Sequence, residues 1–399
     1  MVAQSSQDLV ERLLKKVGAS IGDRVRVIKG DFIVEGILLP RPILAKPGYI
    51  QLKLDNGYNI GVKVTEDTQI VKVKSVRAEL TGGLVSPEVP KPALGLPRVH
   101  IISTGGTIAS RVDYRTGAVY PALTSQDLYK AVPEITSIAQ IETEVLYSIF
   151  SEDMKPHHWA GMAEKVVEKI REGSMGVVIA HGTDTMAYSA AALSFALRNL
   201  PVPVVLVGSQ RSSDRPSSDA TLNLISAVLV AARAPFAEVV IVMHGESSDT
   251  YCLAHRGTKV RKMHTSRRDA FKSINDVPLA KIEGMKITIL NKRFNPRRGD
   301  REVILENKFD EKVSLVKIYP GMSGDIIDYM VDKKYHGIVL EGTGLGHVPH
   351  SIFPSIRRAI EEEIPVVVTS QCLYGRINMN VYSTGRELLA MGVIPGEDM

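Results

Sequence analysis

Apolar and polar positions alternate along this chain with two different periods, and the change of period divides it. Leu9, Val10, Leu13, Leu14 and Val17 recur at helical spacing behind Ser5 or Ser6, either of which can cap the first turn, and Gly18 ends the run. The period then drops to two. DRVRVI, FIVEGILL, YIQLKL, YNIGVKV and QIVKVKS each place apolar side chains on one face, and Asn56-Gly57 supplies a tight-turn dipeptide between two of these strands. Residues from about 21 to 76 therefore read as a small β-barrel of the SH3-like kind, which together with the helix makes an N-terminal unit of residues 1–76.

Residues 77–97 read as a linker, because Pro87, Pro90, Pro92 and Pro97 interleaved with glycines deny both helix and sheet hydrogen bonds. From Val99 onward, short β-branched runs precede helical stretches: VHIIS, GVVIA, VPVVLVG, EVVIVM, and later HGIVLEG and VPVVVTS. Such alternation predicts an α/β body with doubly wound parallel sheets. The charged, turn-rich LNKRFNPRRGDREV separates two such units, 98–304 and 305–399. The ending VIPGEDM reads as a helix entrance, which suggests a natural terminus beyond Met399. Open sheets of this kind bind ligands beyond the carboxyl ends of their strands, so the residues just after each apolar run are the first candidates for chemistry.

Composition narrows the picture further. The 399 residues are 44% hydrophobic and 23% charged, which excludes a mainly disordered chain and is long enough for more than one core. Cys252 and Cys372 stand alone, so neither a zinc ribbon nor a disulfide scaffold is indicated, and a reducing compartment fits. The start MVAQSSQDLVERLLKK lacks the order of a signal peptide, and no apolar run is long enough for a bilayer, so a soluble cytoplasmic protein without membrane contact is expected. A net charge of +5 is far below that of dedicated nucleic-acid binders and reads as a solvated basic surface. Histidines 157, 158, 181, 244, 255 and 264 follow no zinc-ligand spacing and read as loop or core residues.

Three segments carry candidate chemistry. In STGGTIAS, Gly105 and Gly106 permit a tight turn that presents backbone N–H groups beside Thr107, while the Walker lysine and a GxGxxG pattern are both missing. In AHGTDTMAYSAAALSFALRN, Met186, Ala190, Leu193 and Leu197 mark a helix starting near Asp184, with Thr183 and Asp184 at its mouth, where they can cap the helix, act chemically, or both. AHRGTKVRKMHTSRRDAFKS is dense in Lys and Arg, a pattern that by itself describes a wet face.

Taken in order, ISTGGTIAS, SEDM, HGTDTMAYSA and VRKMHTSRRDAFKS resemble the bacterial-type L-asparaginase and glutaminase family over roughly residues 98–399. The resemblance implies an asparaginase-like two-domain body and an amidohydrolase with a threonine nucleophile. Position by position, it implies Thr107 as nucleophile, Thr183 and Asp184 as the second threonine and the aspartate, and Lys262 as the catalytic lysine. The FKS that follows selects Lys262 over Lys259. Tyr114, in DYRTG, falls on the tyrosine that supports the nucleophile, and substrate contacts fall on Gly106, Ser151, Glu152 and Gly182. Glu152 stands where such asparaginases usually carry glutamine, which bears on free-asparagine specificity. An alcohol attacking an amide needs a proton acceptor and a site for the oxyanion, roles these groups and the Gly-rich turn can fill.

A barrel joined to such a body, together with MNVYSTGRELL and LEGTGLGHVP, resembles the D subunits of archaeal glutamyl-tRNA(Gln) amidotransferases. This implies glutamine (or asparagine) as amide donor and ammonia delivered to an E subunit. ATP and magnesium would act at that partner, and no cofactor in this chain. It also implies a homodimeric core carrying two partners, α2β2, with tRNA reached through the complex. Two alternatives stay open: a stand-alone L-asparaginase with an accessory barrel, and an RNA- or protein-binding module on an inert body. The barrel's lack of an aromatic stacking platform counts against the last.

Overall fold

Each period-two run becomes a strand. In the computed structural model, which describes residues 2–39, 48–54, 59–74, 95–106, 110–112, 119–121, 132–211 and 218–398, the N-terminal unit consists of helix α1 (Val2–Lys16) and strands β1 (Arg24–Lys29), β2 (Phe32–Leu39), β3 (Tyr49–Lys53), β4 (Asn59–Lys63) and β5 (Gln69–Lys74). The strands form one antiparallel sheet in the order β4-β3-β2-β1-β5. Val25, Val27, Leu38, Ile50, Leu52, Val62 and Ile70, drawn from all five strands, share one apolar interior, and Leu9, Val10, Leu13, Leu14 and Val17 of the helical segment close over it. The Asn56-Gly57 turn lies outside the described residues, as does most of the 77–97 linker. The strands flanking the turn pair antiparallel, with Lys53 opposite Asn59.

The body holds an eight-stranded sheet. Five strands run parallel, β6 (Arg98–Ser103), β7 (Gln140–Val145), β8 (Gly176–Ala180), β9 (Val204–Val207) and β10 (Val239–His244), in the order β7-β6-β8-β9-β10. Beyond β10 the sheet turns antiparallel, through β11 (Cys252–Arg256) to two strands at Ala280–Glu283 and Lys286–Ile289. The sheet is thus mixed rather than wholly parallel, because tight returns after His244 and after Glu283 make hairpins, and the longer 257–279 connection, which has no crossover helix, also brings the chain back antiparallel. Strands β8, β9 and β10 are buried on both faces, which is why they read as unbroken apolar runs. Helices α2 (Pro156–Arg171) and α3 (Met186–Ala196) cover one face and α4 (Ala220–Arg233) the other.

A smaller parallel sheet follows, from Val313–Lys317 through Gly337–Gly342 and Val366–Ser370 to Ile394–Pro395, with helices Asp325–Asp332, Phe353–Glu361 and Ser383–Met391. Near residue 305, Ile304–Leu305 still pairs with Leu197–Arg198 of the larger body, and the second sheet begins at Val313. Among the described residues no helix is long and apolar enough to cross a membrane.

Leu52 is fully buried in the barrel interior. Leu52→Ala is expected to cost the barrel about 2–5 kcal/mol. Hydrogen exchange read strand by strand should show lost protection in residues 24–74 and unchanged protection in β8–β10.

Candidate active site

Three loops meet at the carboxyl ends of β6, β7 and β8, where the chain must approach itself closely. Thr104 is tied to the end of β8 twice, its N–H and its hydroxyl each donating to the Ala180 carbonyl at 3.0 Å. Gly105 and Gly106 then take φ of +112° and +83°, outside the comfortable range of other residues. A Cβ on Gly105 would lie 2.3 Å from the Ile149 carbonyl oxygen, and one on Gly106 would lie 2.8 Å from the Gly182 nitrogen. Gly182 in turn presses on Ser151, where a Cβ would come within 2.7 Å of the serine Cβ. The structure therefore brings Gly106, Ser151 and Gly182 into one contact group. Thr107 and Tyr114 lie outside the described residues; Thr107 follows Gly106 in the chain, and Tyr114 belongs to the connection between the paired segments Ser110–Val112 and Val119–Pro121. Glu152 is exposed beside buried Ser151 on a single 3-10 turn, Ser151–Asp153.

Thr183 and Asp184 do not cap the helix behind them. Helix α3 starts at Met186, and its N-cap residue is Thr185, which makes no capping bond and donates its hydroxyl to the Ser151 carbonyl at 2.6 Å. The preceding pair faces a lysine instead. Lys262 Nζ donates to Thr183 Oγ1 at 2.9 Å and to Asp184 Oδ1 at 2.6 Å. The lysine side chain is 12% exposed and the aspartate 69%, so the amine lies at the edge of the cleft with its counter-ion toward solvent. Leu197 lies just past the end of α3, in the short pairing with Ile304–Leu305.

A hairpin explains how Lys262 arrives there from 79 residues away in the chain. Strands Val260–Lys262 and Phe271–Ser273 pair with Lys262 opposite Phe271, whose ring is wholly buried in the core under α2 and α3. His255 of β11 holds the hairpin through Ser273 at 2.9 Å. The nearby Lys259 points elsewhere and pairs with Asp398 at 2.6 Å.

Behind the loops runs a chain of hydrogen bonds through His181, which the sequence reading had only as a loop or core residue, and through Trp159 and Ser189, which it did not single out. Trp159 Nε1 donates to Ser189 Oγ at 2.9 Å, Ser189 Oγ meets His181 Nε2 at 2.8 Å, and His181 Nδ1 meets the Gly182 carbonyl at 2.7 Å. Burial pushes the His181 imidazole down to about 4, so it is neutral at pH 7 and pins the Gly182 peptide. On the other side Asp219, fully buried, accepts from the Gln210 and Arg211 N–H groups and from Asn223. Asn223 also donates to the Gly208 carbonyl at 3.0 Å, and its Oδ1 meets His244 Nδ1 at 2.6 Å. The available signal was an Asp and an Asn on an otherwise apolar helix, ATLNLISAVLVAAR and the residue before it.

Comparison with known proteins bears on the same segments. The asparaginase N-terminal family pattern matches residues 98–295, the glutaminase/asparaginase C-terminal domain matches 312–399, and the GatD N-terminal domain matches 19–73. The D subunit of glutamyl-tRNA(Gln) amidotransferase from Pyrococcus furiosus is 56% identical over 98% of this chain and 89% of its own length. The corresponding D subunit from Thermofilum pendens is 49% identical over 100% of this chain and 89% of its own. The chain belongs to the D-subunit family of glutamyl-tRNA(Gln) amidotransferases. Among solved structures, the thermostable L-asparaginase from Thermococcus kodakarensis superposes with a TM-score of 0.68 at 33% identity, covering 76% of this chain and 88% of the asparaginase. L-asparaginase I from Vibrio cholerae gives 0.66 at 29% identity, covering 76% and 89%. This member of the D-subunit family is thus an asparaginase-like body behind a family-specific N-terminal unit.

Two outcomes test this geometry. Gly106→Ala adds a Cβ against the Gly182 backbone at a positive φ. It is expected to destabilise the protein by about 1–3 kcal/mol in denaturant titration and to displace both loops. For pH, His181 is lowered in the folded state from its ordinary 6.5 to about 4. Its contribution to stability is therefore complete above pH 6.5 and declines as pH falls toward 4, because the unfolded chain takes up the proton first. His181→Gln should flatten the pH dependence of the unfolding free energy in that window.

Proposed function

We propose that this chain releases ammonia from the side-chain amide of glutamine, or of asparagine, as the amidohydrolase component of a glutamyl-tRNA(Gln) amidotransferase. The observation that carries the reading is Lys262 bonded to both Thr183 and Asp184 beside the Gly106–Gly182 contact. In this mechanism the Thr107 hydroxyl attacks the amide carbon, with Tyr114 hydrogen-bonded to that hydroxyl. Backbone N–H groups of the Gly-rich turn and of the Thr183 loop stabilise the oxyanion. Lys262, Thr183 and Asp184 form the relay that positions water and carries protons to the leaving ammonia and to the second hydroxyl. Ser151 and the exposed Glu152 hold the substrate's α-amino and α-carboxyl end, Glu152 facing the ammonium.

The ammonia is used by a partner E subunit that activates Glu-tRNA(Gln) with ATP and magnesium, so this chain itself needs no cofactor. Two copies of the chain with two partners make the working assembly, in the cytoplasm. The outer face of α3 supports burial against another chain: the helix carries no charged residue, yet Tyr188 and Phe195 are 54% and 64% exposed. The second reading, a stand-alone L-asparaginase, draws on the likeness to the Thermococcus kodakarensis enzyme.

Ammonia release from glutamine and from asparagine, with and without the partner and Glu-tRNA(Gln), separates the two. Glutamine turnover that rises with partner and tRNA is the expected result, and fast unaided asparagine hydrolysis overturns it in favour of the second. Lys262→Ala is expected to lower kcat by about 10²- to 10⁴-fold and Thr107→Ala by at least as much, while Lys259→Ala leaves kcat unchanged. Full turnover in the first two variants would refute the mechanism.

A further inference from the structure

At the opposite end of the large sheet, where the parallel strands begin, the body carries a second cleft of about 910 Å³. One wall is the turn after α3, with Arg198 and Asn199, bound to the 302–306 segment by the Asn199 to Glu302 carbonyl bond at 2.8 Å and the Arg198–Glu306 ion pair at 2.9 Å. The other is the turn holding Arg293 and Phe294, and the floor is Arg256 with Glu238. This geometry is held rigidly. Arg297 donates to the Ala232 carbonyl at 2.8 Å, the Ala237 N–H donates to the Asn295 carbonyl at 2.7 Å, and Arg298 N–H donates to the Pro201 carbonyl at 3.2 Å.

The charges in the cleft do not cancel. Glu238, its one acidic lining residue, is taken up by Arg256 at 2.7 Å and also accepts the Asn295 N–H at 2.8 Å, while Arg256 is further neutralised by Asp276 at 2.6 Å. Arg293 and Arg301 line the same space, and among the described residues neither guanidinium has a hydrogen-bond or ion-pair partner. The neighbouring acids Asp300 and Glu302 are exposed and do not line it. Phe294 also lines the cleft; it is partly buried and packs edge-on against Phe236, centroids 6.0 Å apart. Two unspent guanidinium groups on hydrogen-bonded backbone, in a space several times the size of one anion and with an aromatic residue in its wall, match a nucleotide whose phosphate sits on the arginines.

We propose that this cleft binds the phosphate group of a nucleotide, presented either by an RNA backbone or by a free mononucleotide. The RNA source rests on the amidotransferase reading; the mononucleotide source does not. The site lies at the other end of the strands from Lys262, so it can be emptied without touching the amidase groups.

The test compares wild type with the double variant Arg293→Ala/Arg301→Ala as the full chain alone, with fluorescent tRNA(Gln), ATP and inorganic phosphate as separate probes across a salt series; tRNA(Gln) binding and ammonia release are then repeated with the partner E subunit, which holds its own ATP site on the amidotransferase reading. The expected result is an affinity loss of about tenfold or more for tRNA or ATP, and, for tRNA, a logarithmic salt slope shallower by about one to two. Loss for tRNA alone assigns the RNA backbone, and loss for ATP as well assigns a mononucleotide site. Arg293→Lys/Arg301→Lys should recover part of the binding, which a folding defect would not allow. Equal binding of all three probes by wild type and variant, measured on the full chain alone, overturns the proposal. Ammonia release from glutamine, measured on the same samples, should be the same in both; its absence from the wild type would strike the amidohydrolase reading and leave the binding result standing.

Discussion

Two stretches of backbone come closer together at the carboxyl ends of β6 and β8 than any side chain would permit, and the candidate site is built on that approach. Gly106 faces Gly182 with no room for a Cβ, Gly105 faces Ile149, and Gly182 faces Ser151. Parallel strands of a twisted sheet splay at their ends, so loops that leave them normally diverge. Here glycine removes the atoms that would hold them apart. The neutral His181, buried and bonded to the Gly182 carbonyl, then fixes one partner of the contact, and the paired bonds of Thr104 to Ala180 fix the other.

Charge arrives at this neutral framework from outside it. Lys262 is carried on a short hairpin whose one large anchor is the buried ring of Phe271, opposite it in register. The ion pair with Asp184 remains partly in solvent, with the carboxylate 69% exposed. Such a pair adds little to stability; its value is geometric, placing one amine within hydrogen-bond distance of one threonine hydroxyl. A second basic group of the body sits at the far end of the sheet, where Arg293 and Arg301 line the cleft with no ion-pair partner among the described residues. The same sheet thus separates an amine held by its counter-ion from guanidinium groups that have none.

Much of this was legible in the chain itself. The barrel strands could be read because each has one wet and one dry face, so alternation survives in sequence, and the helical stripe of Leu9 to Val17 closes the interior as its spacing implies. The doubly buried strands were equally plain as unbroken runs. The antiparallel turn of the sheet after His244 was hidden, since pairing direction is a property of two strands and leaves no mark on either. Helix α3 ran two residues shorter at its start than its apolar spacing implied, because Thr183 and Asp184 are drawn to Lys262 and Thr185 to Ser151.

By itself the sequence offered candidates for chemistry: residue type and local turn geometry left Thr183 and Asp184 as caps or reactive groups and the basic stretch as a wet face, and it was the resemblance carried by the order of the motifs that singled out Thr183, Asp184 and Lys262 before any coordinates. Only the tertiary structure decided which of them meet. It sent Lys259 to Asp398 and Lys262 to Thr183, although the two lysines stand three positions apart on one basic stretch. It also placed His181, Asn223 and Asp219 behind the loops as a polar scaffold, a role visible only when the neighbours across the sheet are known. The reason is physical: propensity and patterning act between residues near in the chain, whereas the partner of a buried donor or of a charge is chosen by packing between elements distant in it.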